Sequence, residues 1–442
     1  MKANIALYKA IAKSMLGRYL VYLMNLISLM ILSRIFTPET YGIIAAVVVF
    51  FVFFQLLSEA GLGPAIINLH ELKEKDRDGI FSFTFLMGFI LSILFYLVSH
   101  LGADFYGVEQ TKKVTPFIAL SVLMFSITSL PNALLLREQC YYKIASSAAL
   151  AEFFSTLIAV VLSFVIEPLY ALSSKYLALS TLNFIFKFYY CNRINVGRPK
   201  FGSDLMAVKP LMTFSVYQFL FNVVNYFSRN LDNILIGKYI GVTTLGIYDK
   251  AYQIMKYPLM LLTFAMTPAI QPFLRQYSGD RAKVEEIHVS LTFKLSILGT
   301  LCGVIIFFFA KEIIHLMLGA QWYSVIPIIK ILAITIPVQV VTSTSGSFFQ
   351  SLNKPQYLFY SGLLSALFMI SAIIVGVIEK NVILIVWLLL CAMVINFFQV
   401  YLLLYLKVFK KNPIKFFIKM VPMILSIVLL TLYELHRTGI II

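Results

Sequence analysis

Charge is what this chain has least of. Asp, Glu, Lys and Arg together make up 13% of its 442 residues, about half the roughly 25% of an ordinary soluble domain. That scarcity excludes a solvated globular surface. Cysteine is scarce too, with four in all. Cys140 and Cys191 fall in loops expected on the inner side, and Cys302 and Cys391 fall inside apolar runs, so no disulfide framework is expected. Five scattered histidines offer no metal-ligand spacing. No G-x-x-x-x-G-K-[ST] run occurs, which excludes ATP hydrolysis through a P-loop. Long loops are also missing. The outward loops, about 102–114 and 311–324, are too short to build a catalytic site, so a membrane-bound sugar polymerase, ligase or glycosyltransferase is not expected, and the chain reads as a non-enzyme.

What is present is hydrocarbon. The chain is 60% hydrophobic, with a mean hydropathy of +0.89. A membrane crossing needs about 20 apolar residues. Thirteen candidate spans can be placed, near 14–36, 43–68, 79–101, 115–136, 144–166, 168–190, 210–236, 247–274, 287–310, 325–352, 356–378, 382–405 and 414–433. The first is too long for a signal peptide and has no cleavage-like flank, so it is expected to stay. The net charge of +16 at first suggests a nucleic-acid partner, but its distribution argues otherwise. With the N-terminus in the cytoplasm, 23 of the 36 Lys and Arg fall in inner segments and nine in outer ones. That is the positive-inside rule. The basic balance is topological, with membrane lipids as the charged partner and no nucleic acid.

A stretch of the chain occurs twice. Leu32-Ser33-Arg34 through Thr40, Gly42 and Ile43 to Pro64-Ala65-Ile66 returns, 204 residues later and without a gap, as Ile236-Gly237-Lys238 through Thr244, Gly246 and Ile247 to Pro268-Ala269-Ile270. The offset carries span one onto span seven and span two onto span eight. Six spans per copy is an even number, so the copies enter the membrane alike and the repeats are parallel. The expected architecture is an all-α polytopic membrane protein with two parallel six-helix lobes around a central cavity. Residues 1–190 form the N-terminal lobe, 191–209 a basic cytoplasmic linker, 210–405 the C-terminal lobe, and 406–442 a basic loop plus one further helix. That thirteenth segment reads as a span in preference to a surface-lying helix.

Polar residues inside spans carry the functional signal. Span seven holds Gln218, Asn222, Asn225, Arg229 and Asp232-Asn233 at steps of three and four, which places them on one helical face. A charge at mid-bilayer costs about 2.5–3.5 kcal/mol. The stripe therefore faces a wet cavity, or else pairs across a helix interface with Arg229 held by Asp232. Span one repeats the theme with Arg18, Tyr22, Asn25 and Ser28, which the offset maps onto Asn222, Tyr226, Arg229 and Asp232. Arg18 could equally snorkel to the headgroups. Span two has Gln55 and Glu59, then Gly61, Gly63 and Pro64; span eight has Pro258 and, at the equivalent place, Pro268. Such interruptions mark either hinges at a transport site or packing kinks. Glu59 is a candidate coupling carboxylate or the neutral partner of a nearby group, and Glu152 has the same two readings. Lys256, Lys294 and Lys330 are further cations within or near spans. Five basic groups against Glu59, Glu152 and Asp232 bias a cavity toward anions.

The run Leu32-Ser33-Arg34-Ile35-Phe36-Thr37-Pro38-Glu39-Thr40-Tyr41-Gly42, with Ser58-Glu59-Ala60-Gly61-Leu62-Gly63, resembles Wzx-type polysaccharide flippases, in particular their WzxC-like lipopolysaccharide, capsule and exopolysaccharide branch. Leu136-Arg137-Glu138, Tyr141-Tyr142, Asn230-Leu231-Asp232-Asn233-Ile234-Leu235-Ile236-Gly237, Leu245-Gly246-Ile247-Tyr248, Ala251-Tyr252-Gln253 and Gly319-Ala320-Gln321-Trp322 extend the resemblance over about residues 10–410. It implies the multidrug/oligosaccharidyl-lipid/polysaccharide exporter fold with alternating access. It implies an undecaprenyl-pyrophosphate-linked oligosaccharide as cargo (O-antigen, capsule or exopolysaccharide), carried across the bacterial inner membrane. A polysaccharide polymerase and a chain-length regulator would be the partners. No cofactor is expected, only an H+ or Na+ gradient for coupling. Many relatives have fourteen spans, and this chain lacks the last. A multidrug exporter and a lipid-II flippase of the same superfamily are the alternatives; the exporter would want an acidic cavity. Arg229 and Arg18 are expected to bind pyrophosphate or anionic sugars, and Gln218, Asn222, Asn225, Asn25, Asn233 and Lys256 to line the cargo's path. Replacing Arg229 with Ala is expected to reduce outward translocation of the lipid-linked unit at normal expression; unchanged transport would remove Arg229 from the site.

Overall fold

A computed structural model describes residues 2–59, 72–209, 230–264 and 280–439, together with 63, 66, 223, 226, 227, 270, 274 and 277. Side chains before residue 17 are outside this description. The regular elements among the described residues are helices. They are α1 (Lys2–Ile35), α2 (Pro38–Glu59), α3 (Glu74–Tyr106), α4 (Thr111–Arg137), α5 (Tyr141–Leu162), α6 (Pro168–Cys191), α7 (230–239), α8 (Val242–Leu259), α9 (Arg281–Phe308), α10 (Ala310–Met317), α11 (Ile326–Thr342), α12 (Ser345–Ser351), α13 (Pro355–Ile378), α14 (Val382–Leu403) and α15 (Ile414–Arg437). A helix pairs its own backbone groups, which hydrocarbon cannot do for it. Ten segments among the described residues are long and apolar enough to cross a membrane. They fall at thirteen-span positions one to five and nine to thirteen. Span six is a 24-residue helix, α6, whose own polar side chains set it apart. Most of span seven and the second half of span eight lie outside the described residues.

The chain divides into two compact units, Met1–Gly246 and Ile247–Ile442. In the first, α4 packs against α3, α6 and α2, α5 against α6, and α1 against α5. Short polar side chains fasten these contacts where hydrocarbon offers no alternative partner. Ser92 Oγ donates to Ala119 O at 2.6 Å and Ser126 Oγ donates to Thr84 O at 2.8 Å, both between α3 and α4.

The expected linker 191–209 belongs to this unit and is strapped to the start of α3. Arg77, only 3% exposed, holds Asp78 at 2.8 Å and donates to Val196 O. Asp78 Oδ1 accepts the Lys200 N–H at 2.9 Å, and Ser82 Oγ accepts the Gly202 N–H at 2.8 Å. A Cβ on Gly79 would stand 2.0 Å from Asp204 O, so only glycine lets the strap lie this close.

A second close approach joins α2 to α8. A Cβ on Gly42 would stand 1.8 Å from Val242 O, and one on Gly246 would stand 2.2 Å from Pro38 O. α8 ends just past Pro258, and Met260–Phe264 wind as a π-helix. Proline removes a backbone donor and crowds the preceding turn, and a π-turn absorbs the mismatch. Span eight is thus interrupted at Pro258; Pro268, Pro64 and Gly61 lie outside the described residues, while Gly63 is helical with open space around its α-carbon.

In the second unit α15 settles the reading of the thirteenth segment. Phe416, near its start, packs on His288 of α9 with ring centroids 5.2 Å apart. Tyr433, near its end, packs on Phe307 of α9 at 5.9 Å. At 1.5 Å per residue these contacts are roughly 25–29 Å apart on both helices, close to the hydrocarbon thickness of about 30 Å. α15 therefore runs alongside α9 over its whole length and in the same direction. A surface-lying helix has no such course. Buried Glu434 closes the far end by accepting from Arg437 and facing Lys330 at 3.9 Å.

Two outcomes follow from this packing. With the N-terminus inside, a C-terminal alkaline phosphatase fusion is expected to be active and a C-terminal GFP fusion dark. Gly79→Val is expected to lower stability by about 1–3 kcal/mol through overpacking, read as a fall in the apparent Tm of the detergent-solubilised protein.

Candidate functional site

α6 has the length of a membrane span but is not among the helices whose composition alone suffices for one. Asn183 and Lys187 are one turn apart, while Lys175, twelve residues before Lys187, points about 120° away around the helix, toward a different neighbour. Lys175 Nζ bonds Glu152 Oε1 of α5 at 2.7 Å, with the two side chains 17% and 7% exposed. The Glu152 main-chain carbonyl accepts from Thr156 Oγ1 at 2.7 Å, and the same hydroxyl lies 2.7 Å from Ser28 Oγ of α1. These groups form one buried polar tract through α1, α5 and α6. It gives Glu152 its structural reading, since an unpaired carboxylate there would cost several kcal/mol.

Twelve residues further along α6, about 18 Å, half-buried Lys187 interacts electrostatically with Glu59 at the end of α2. Unlike Glu152, the Glu59 side chain is exposed. The attraction between Glu59 and Lys187 is electrostatic at longer range, whereas Glu152 and Lys175 are in direct contact at 2.7 Å. Neither Lys187 nor Lys175 is obvious from the sequence. Both count toward loop charge there, and only their place inside a membrane-length helix could have picked them out.

The remaining expected site residues distribute as follows. Ser28 is buried and bonded to α5, so that point of the span-one face is a helix interface. Asn25 is half-buried and Arg18 is exposed midway along the same helix. Asp232 is buried and its Oδ1 accepts the Asn233 N–H at 2.9 Å, with Asn233 half-buried beside it. One turn before α7, the Tyr226 hydroxyl donates to Val49 O of α2. Gln218, Asn222, Asn225 and Arg229 lie outside the described residues. Lys256 is exposed with its ammonium 5.3 Å from the Tyr252 ring centre. Lys294 is exposed. Lys330 is committed to Glu434 and to the Phe307 ring at 5.2 Å. The pairing of Lys330 and of Glu152 removes one cation and one anion from the count, so the basic bias of the remaining groups stands.

In the second unit His288 is fully buried inside an aromatic cluster of Phe348, Tyr401, Tyr405, Phe409 and Phe416. Its Nδ1 lies 3.3 Å from the Tyr405 hydroxyl. Nothing links it to the polar tract of α6, and it reads as a core histidine. Among the described residues no group of three or more His, Cys, Asp or Glu is arranged to hold a metal ion.

Comparison with known proteins agrees with this construction. The chain is similar to the teichuronic acid biosynthesis protein TuaB of Bacillus subtilis, 24% identical over 322 residues that cover 71% of this chain and 65% of TuaB. It is similar to the lipopolysaccharide biosynthesis protein WzxC of Escherichia coli, 23% identical over 363 residues that cover 80% of this chain and 71% of WzxC. The chain thus spans about two thirds of the length of these relatives. Its fold matches that of the lipid II flippase MurJ in an inward closed conformation with a TM-score of 0.72, at 15% identity, over 96% of this chain and 98% of the other. A model of the family described as "Polysaccharide biosynthesis protein" matches residues 31–327. With most of its length inside that match, the chain belongs to this polysaccharide biosynthesis family.

Proposed function

We propose that the chain flips an undecaprenyl-pyrophosphate-linked oligosaccharide repeat unit from the inner to the outer leaflet of the bacterial cytoplasmic membrane, by alternating access between two six-helix lobes. The observation that carries this reading is Lys187 of the membrane-length helix α6, a cation placed within electrostatic reach of the Glu59 carboxylate of α2. Relatives named for teichuronic acid and lipopolysaccharide synthesis support a glycan cargo. Sugar hydroxyls cost about 4–8 kcal/mol each to move from water into pure hydrocarbon. A polar path removes that cost while the lipid tail stays in the membrane. Arg229, Arg18 and Lys187 receive the pyrophosphate, arginine supplying a bidentate fork. Gln218, Asn222, Asn225, Asn25, Asn233 and Lys256 contact sugars. Glu59 changes partner between Lys187 and a coupling H+ or Na+. Outward movement of an anion gains about 2.3 kcal/mol per charge per 100 mV of inside-negative potential.

Two substitutions separate this role from a structural one. Lys187→Met is expected to lower outward translocation by about tenfold or more, equivalent to about 1.4 kcal/mol, with expression and apparent Tm retained. Transport at the normal rate in that variant would remove Lys187 from the path. Lys175→Met alone is expected to destabilise by about 3–5 kcal/mol by stranding Glu152. The double variant Glu152→Met/Lys175→Met is expected to recover stability and to transport normally, as a purely structural pair requires. The fold match to a lipid II flippase favours a second cargo, cell-wall precursor. Rescue of cells depleted of their own lipid II flippase would establish that cargo; failure to rescue, with glycan export intact, is the expected result.

A further inference from the structure

The first unit contains an apolar cavity of about 360 Å³ that the polar tract of α6 does not use. Phe50 and Phe54 of α2, Phe95 and Phe105 of α3, Phe227 and Ile234 are among the residues that line it. All of these residues lie within Met1–Gly246. A cavity of about 150 Å³ takes one benzene, so this one takes on the order of a dozen carbons. From Phe105 to Phe95 is about 15 Å along α3, half of the roughly 30 Å hydrocarbon core. The cavity therefore has the depth of a single leaflet. The charge bias assigns its Phe105 end to the outer surface.

Ser99, Tyr106 and Thr111 are the polar residues among the lining, and Lys238 stands beside the lining residue Phe105. Lys238 donates to Phe105 O and its ammonium stands 4.7 Å from the Phe105 ring centre. Tyr106 lines the cavity, and its buried hydroxyl has no hydrogen-bond partner among the described residues. A cation and a buried, unspent hydroxyl at one end of an apolar cavity with room for about a dozen carbons match a lipid with one anionic phosphate head and one hydrocarbon tail. A diacyl phospholipid would leave its second chain outside.

We propose that this cavity seats the polyprenyl chain of the phosphate-bearing lipid carrier in the outer leaflet, with Lys238 and Tyr106 at its phosphate. The proposal rests on the reading of the chain as a flippase of lipid-linked glycans, and it gives the delivered carrier a place on the exit side. Its chemistry needs a single branched chain and one phosphate head; the sugars are not required.

The test uses the full chain in nanodiscs and a polyprenyl phosphate carrying a diazirine on its tail, with cross-links mapped by mass spectrometry. Labelling is expected within residues 46–54 and 95–106. Unlabelled undecaprenyl phosphate is expected to reduce it about tenfold, and phosphatidylglycerol at the same concentration to leave it unchanged. Gly102 borders the cavity and a Cβ there meets nothing within 4 Å. Gly102→Phe therefore fills the slot without disturbing the backbone, and is expected to reduce labelling about tenfold with the apparent Tm retained. Lys238→Gln is expected to weaken competition by undecaprenyl phosphate. Equal competition by phosphatidylglycerol, or undiminished labelling of Gly102→Phe, overturns the proposal. Glycan translocation is measured on the same preparations. Normal translocation without labelling refutes this seat and leaves the flippase reading standing. Labelling without translocation refutes the flippase reading and leaves the seat.

Discussion

A charge inside hydrocarbon must find a partner of its own, and the arrangement of this bundle follows from that demand. Lys175 finds Glu152, Glu434 finds Arg437 and Lys330, and Arg77 finds Asp78 and a loop carbonyl. Three of these contacts, Lys175–Glu152, Lys330–Glu434 and Arg77 to Val196 O, join two elements that apolar packing alone could slide past each other, because Leu against Leu is no better than Leu against lipid. The pairs fix register. They tie α5 to α6, the end of α15 to α11, and the linker to α3. Against this background the Glu59–Lys187 relation is distinctive, because one of its partners keeps its access.

Most of the architecture was legible in the sequence, because length and hydropathy are properties of a run of residues and need no neighbours. The thirteenth segment is an instance. Its 24 residues were long enough to cross, but only Phe416 on His288 and Tyr433 on Phe307 show that it does so alongside α9. The site was less legible. Lys175 and Lys187 look like loop charges when counted along the chain. Their role depends on Glu152 and Glu59, which stand 23 and 128 residues away. Pairing at such separations is a property of packing and leaves no local signature. The polar stripe of span seven was the clearest pattern in the sequence. Asp232 and Asn233 are its two expected site residues within the described structure.

The two halves of the polar chemistry differ in kind. The span-one face loses Ser28 to an interface with Thr156, whereas its counterpart in the second copy is Asp232, a carboxylate. Under the 204-residue offset the two positions thus hold a serine and a carboxylate. Sugars require amides and hydroxyls, and a pyrophosphate requires cations. A divergent pair of faces can offer both to one cargo.

The contact between α2 and α8 has a consequence for how such divergence is limited. Pro38 and Val242 are equivalent under the 204-residue offset, and so are Gly42 and Gly246. Gly42 closes on Val242 while Gly246 closes on Pro38, so each residue meets the counterpart of the one its own counterpart meets. This is the self-complementary pattern of an isologous two-fold dimer, preserved inside one polypeptide. A side chain introduced at either glycine would wedge open the same junction from opposite sides. The two copies can therefore drift apart along their polar faces, but at this crossing they remain bound to a common ancestry, and neither glycine is free to change without the other paying in geometry.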